Sequence, residues 1–149
     1  MKIPLGTIVK DLVTGLIGVA ENRAEFMYGC DRYLVQPRIG GDGKIPESHM
    51  IDETQLVLLE HCDPVMQPPL EPVKIFEMGQ EVIDPIKEAK GVITGRAVYL
   101  NGCARVMISP KQSSDKDLSP WWVDEGLPVA TKKKHSAPFI CSGVRRKDR

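Results

Sequence analysis

Apolar residues in this chain fall in short, partly alternating runs broken by glycine, and few stretches carry helical spacing. Residues 7–11 (Thr-Ile-Val-Lys-Asp) are rich in β-branched side chains and predict a first strand. A turn at Thr14-Gly15 leads into a long second strand over 17–26. Residues 32–37 (Arg-Tyr-Leu-Val-Gln-Pro) predict a third, and 49–53 with 56–60 the closing strands. Gly40-Gly41-Asp42-Gly43 marks an exposed loop between the third and fourth.

The same pattern then returns. Residues 5–37 match 78–110 at a constant offset of 73, sharing Gly6/Gly79, Val9/Val82, Asp11/Asp84, Gly18/Gly91, Val19/Val92, Arg23/Arg96, Ala24/Ala97, Gly29/Gly102, Cys30/Cys103, Arg32/Arg105 and Pro37/Pro110. After one deletion, Ile51-Asp52-Glu53 is answered by Val123-Asp124-Glu125. Recurrence at a fixed offset is the mark of an internal duplication. The expected fold is all-β: two tandem small SH3-like antiparallel β-barrels, over 1–62 and 74–130, separated by a proline-rich linker over 63–73 and followed by a basic tail over 131–149. SH3-like describes shape and carries no function. Four prolines among residues 63–72 favour an extended, semi-rigid spacer. A unit of about 60 residues buries only about 60% of its unfolded surface, so each half is expected to lean on its twin or on a partner.

A family resemblance rests on five stretches: Val9-x-Asp11-x-x-Thr14-Gly15-x-x-Gly18; Arg23-Ala24-Glu25-Phe26-Met27-Tyr28-Gly29-Cys30; Tyr33-Leu34-Val35-Gln36-Pro37; Asp42-Gly43-Lys44-x-Pro46; and Ile51-Asp52-Glu53-x-Gln55-Leu56. Together they resemble small proteins encoded by bacteriophages and prophages. The resemblance covers residues 5–60 well and 78–127 less well, where Lys87-Glu88 replaces the Thr-Gly turn. It brings no assigned catalytic residue. What it implies is a viral protein in the host cytoplasm or associated with the virion.

An apolar content of 42% and a mean hydropathy of −0.20 exclude a disordered chain and a membrane-spanning one. The first residues lack the apolar core of a signal peptide, which makes the cytoplasm the expected location, with the four cysteines as reduced thiols. Zero net charge hides an asymmetry: residues 1–130 carry 13 basic and 19 acidic side chains, and 131–149 carry 7 and 1. Such a tail suits nucleic acid, an acidic partner or its own acidic body.

Catalysis finds little support in the residues. Gly29 and Gly102 read as turn positions needing a positive φ, with Cys30 and Cys103 then pointing inward as small apolar side chains. The cysteines and histidines show no Cys-x-x-Cys or His-x-x-x-His pair, so neither a metal nor a cofactor is expected. Asp52-Glu53 and Asp124-Glu125 are strand neighbours that face opposite sides and form no dyad. Arg23/Arg96, Arg32/Arg105 and Asp52/Asp124 read as ion pairs that fix strand register, or, for Arg23 and Arg96, as anion-binding groups in a groove. Trp121-Trp122 stands where the first copy has His49-Met50, offering an indole to a partner or to the seam between halves.

The expected function is a non-enzymatic protein-binding module, in virion assembly or modulation of a host factor, with a protein partner or self-assembly and no membrane. Its partner-binding residues would be Arg23, Tyr28, Arg96, Tyr99, Trp121 and Trp122, with Tyr28 and Tyr99 lining one groove. The alternative is nucleic-acid or nucleotide binding by Lys132, Lys133, Lys134, Arg145, Arg146 and Lys147 with an exposed tryptophan.

Overall fold

A computed structural model describes residues 2–59, 63–67, 70–111 and 119–131. The first run of strands is β1 (Ile8–Asp11), β2 (Ile17–Phe26), β3 (Arg32–Pro37), β4 (His49–Asp52) and, after a 3-10 turn at Glu53–Gln55, β5 (Leu56–Leu58). The second is β6 (Glu81–Asp84), β7 (Ala89–Tyr99), β8 (Ala104–Pro110), β9 (Trp121–Asp124) and β10 (Val129–Ala130). Within the first run the order across the sheet is β5-β1-β2-β3-β4, and β10-β6-β7-β8-β9 repeats it in the second. Every pairing is antiparallel.

Two separate closed barrels are not what these strands build. They form one continuous open sheet of ten strands among the described residues, joined where β2 pairs β7. The reason lies in strand length. Along one edge, β2 gives residues 17–19 to β1 and residues 22–26 to β7, while its other edge takes β3. The part of a long strand that would be a free edge is thus covered by its counterpart, which removes a site of unwanted pairing.

The seam is symmetric about one residue pair. Ala24 lies opposite Ala97, its own counterpart, with Asn22 opposite Tyr99 on one side and Phe26 opposite Gly95 on the other. Both strands change register beside the seam, between Ala20 and Asn22 and between Ile93 and Gly95. The carbonyls of the skipped residues then accept from the other half: Leu100 N–H donates to Glu21 at 2.7 Å and Met27 N–H to Thr94 at 2.8 Å. A bulge frees these carbonyls from their own ladder.

Each half has its own core. The first gathers Leu5, Val9, Ala20, Tyr33, Val35, Ile51 and Leu56, and also takes Val98, with Leu100 packed against it, from across the seam. The second gathers Phe76, Val82, Ile93, Val106, Ile108 and Val123, with Trp121 and Leu127 against it. The linker also contacts the sheet. Val65 N–H donates to the Gly6 carbonyl at 2.9 Å, and the Met66 carbonyl lies so close to Gly6 that a β-carbon there would be 2.4 Å from it. Among the described residues, no helix is long and apolar enough to cross a membrane.

Candidate functional site

The two halves differ where β1 and β6 end. Each strand finishes on a buried aspartate whose carboxylate caps the turn that follows. Asp11 accepts from Val13 N–H at 3.0 Å, Thr14 N–H at 3.2 Å and the Thr14 hydroxyl at 2.5 Å. Asp84 accepts from Ile86 N–H at 2.9 Å and Lys87 N–H at 3.1 Å. Gly15 takes a positive φ of 77° in the first turn, and Glu88 is held at 55° in the equivalent place in the second.

What sits over the aspartate differs. In the second half, Trp121 on β9 donates its indole N–H to Asp84 at 2.9 Å, and the Lys87 ammonium lies 5.3 Å from the ring centre. In the first half that position on β4 is His49, exposed to solvent. The space between the β1–β2 turn, β4 and the 3-10 turn is left as a cleft of about 460 Å³, within the range of ligand pockets. Asp11, Thr14 and Gln55 line it with Leu16, Met50 and Ile51, and Arg32 stands at its edge, bound to Asp52 at 2.7 Å.

Burial would raise the Asp84 carboxyl, but the Lys87 N–H, the Trp121 indole, the Ile86 N–H and the Lys87 charge outweigh it and hold the group below the usual aspartate value. The Thr14 hydroxyl and the turn N–H groups do the same for Asp11. Carboxylates depressed in the folded state stabilise it above the unfolded value, about 3.9 for aspartate, and that stability is lost as pH falls through the folded value. The urea unfolding midpoint should therefore fall as pH is lowered from about 5 to 2. Asp84→Asn should flatten that dependence, as read by circular dichroism.

Of the residues expected from sequence to contact a partner, Tyr28 is exposed, and several of the others are engaged within the fold. Arg23 and Arg96 are buried, not displayed in a groove. Arg96 donates to both carboxylate oxygens of Glu125, at 3.0 and 2.9 Å, and to the Pro72 carbonyl at 2.9 Å. Arg23 reaches Glu71 at 2.6 Å and Glu25 at 3.2 Å. Glu71, from the linker, also lies 3.8 Å from Arg96 and so sits between the two arginines. A smaller cavity of about 210 Å³ is lined by Arg23 and Glu71, which pair there through one terminal guanidinium nitrogen. The register pairs are Arg32–Asp52 and Arg105–Asp124, at 2.7 and 3.2 Å, each bridging strand neighbours. Asp124 is exposed and Glu125 buried, as opposite-facing neighbours require.

Tyr28 and Tyr99 do not line one groove. Tyr99 pairs with Asn22 at one end of the seam, and Tyr28, exposed, lies beyond Phe26 at the other. Trp122 packs edge-on against Phe26, with ring centres 6.2 Å apart, and so covers the seam. The turn glycines have the expected positive φ, 111° at Gly29 and 87° at Gly102, but Cys30 and Cys103 are exposed, because each follows its glycine at a hairpin tip instead of entering a strand. Lys132, Lys133, Lys134, Arg145, Arg146 and Lys147 lie outside the described residues. Among those described, no three His, Cys, Asp or Glu side chains converge as metal ligands.

The cleft was missed in the sequence because its parts are dispersed: residues 11–16 meet 49–55 through the strand order. The signal that could have found it was the His49/Trp121 exchange beside a shared aspartate. No protein-family model, curated protein or solved structure matches this chain.

Proposed function

We propose that this chain is a non-enzymatic protein-binding module built from a duplicated SH3-like unit, and that its first half holds a segment of a partner protein in the cleft between the β1–β2 turn and β4. One observation carries the reading: the first half leaves open, beside a buried carboxylate, the space that Trp121 fills in the second. Leu12 and Val13 are exposed on the turn that walls the cleft, and Met50 on the strand opposite. Large apolar side chains around a concavity with a few fixed polar groups are what a recognition site requires. Duplication is supported by the repeated strand order, the matched register shifts and the self-paired Ala24 and Ala97. From the phage-type resemblance, the partner would be a virion component or a host factor.

Crosslinking tests this reading. With p-benzoylphenylalanine in place of Met50, irradiation in cells should give one discrete protein adduct. His49→Trp should abolish it by supplying the indole that fills the cleft, while the protein remains folded. Adducts of equal yield with His49→Trp, or no adduct from the parent, would exclude the cleft as the binding site.

A further inference from the structure

If the cleft is a binding site, the second half also identifies what it takes. Asp11 and Asp84 are equivalent, buried, and held by the same turn. Asp84 takes both turn N–H groups on one oxygen and turns the other to the Trp121 indole N–H, with the Lys87 ammonium 3.8 Å from it. An ionised carboxylate offers about four lone-pair sites. On Asp11 one oxygen takes the Thr14 N–H and hydroxyl and the other takes Val13 N–H, so one acceptor site is left, beside the Val13 bond, on a residue that lines the cleft. Leu16, Met50 and Ile51 supply apolar walls of the kind a flat ring buries against.

A cation is present as well. Thr14 stands where Lys87 does, so the ammonium that lies over Trp121 has no counterpart on the first turn. Arg32 provides one from β3, at the edge of the cleft and fixed by Asp52. Guanidinium groups favour aromatic faces. We infer that the cleft binds a tryptophan side chain presented by an extended segment of a partner protein, its indole N–H donated to Asp11 and its ring beside Arg32. β4 already holds in the first half the line that β9 takes in the second, so the partner's segment would bring its indole in past the exposed His49 from the solvent side.

The test uses isotope-labelled full-length protein titrated with N-acetyl-L-tryptophanamide, its N-methylindole analogue and N-acetyl-L-phenylalaninamide, followed by NMR. Tryptophanamide should give saturable shifts at Thr14, His49 and Met50. The N-methylindole analogue keeps the ring and loses the donor, and should bind about tenfold more weakly. His49→Trp should abolish the saturable shifts, since its own indole occupies the site. Equal affinity for all three probes, shifts undiminished in His49→Trp, or no saturable shift in the parent protein would each overturn the assignment. A partner crosslinked at position 50 with no response to tryptophanamide would leave the binding role standing and remove the indole. Tryptophanamide binding without any crosslinked partner would keep the indole specificity and remove the role.

Discussion

Arg96→Ala should unfold the protein under conditions in which Arg23→Ala leaves it folded. The two arginines hold the same place in their strands, but their partners differ in access to water. Arg96 and Glu125 each expose only 4% of their side chains, and two N–H groups of Arg96 span the carboxylate. Removing the guanidinium leaves a buried charge supported by Ile75 N–H at 3.1 Å. Breaking such a pair from one side costs about 3–5 kcal/mol, against a total of about 5–15 kcal/mol for a typical domain. Arg23 is paired with Glu71, which is 53% exposed and can return to water when the guanidinium is lost. Its removal should cost about 1–2 kcal/mol, including the packing of its stem. Urea unfolding followed by circular dichroism separates the two. Arg96→Met combined with Glu125→Leu should recover much of the loss, because no charge is then left unpaired. Equal destabilisation by Arg96→Ala and Arg23→Ala would show that burial of the Glu125 carboxylate does not set the cost.

The strands were legible to within a residue or two. The expected 17–26 and 32–37 coincide with β2 and β3, since alternation and turn glycines are local signals that survive without knowledge of the partner strand. The seam was not legible. Nothing in the periodicity of β2 or β7 says which strand their free edge will take, and pairing between residues 73 apart is decided by which edges remain uncovered. In the structure the seam shows in β2 as Asn22, Arg23 and Ala24 buried in succession, which breaks the alternation at the register shift. In hindsight, alanine kept at both 24 and 97 is what two backbones meeting at a symmetric centre require. For Arg23 and Arg96 the sequence offers both an ion pair and a groove; they are buried in ion pairs, but with Glu71 and Glu125, partners that repeat spacing does not indicate. The cysteines differ in the opposite sense: small apolar side chains are expected to point inward, but both stand at hairpin tips before their strands begin and are exposed.

The same seam predicts that damage in one half is felt in the other. Tyr33→Ala lies in the first half, yet it should lower the unfolding midpoint read by tryptophan fluorescence, although both tryptophans are in the second. Tyr33 is fully buried among Leu5, Val9, Val35 and Val98, and its hydroxyl accepts from Ile3 N–H at 2.9 Å. Truncation removes the ring from a packed site and should cost about 3–5 kcal/mol, as for other buried aromatic residues. Because Val98 belongs to β7 and is buried in that first core, losing the core strips β7 of an apolar contact and exposes the pairing of residues 22–26 with 95–99. Trp122 is anchored on Phe26 of the first half, so its fluorescence reports the seam directly. Fluorescence and far-ultraviolet circular dichroism should therefore shift together, in one transition. Independent halves would behave otherwise: the fluorescence midpoint would stay at its parent value while circular dichroism split into two steps, and that result would mean that the β2–β7 pairing joins the halves without coupling their stabilities.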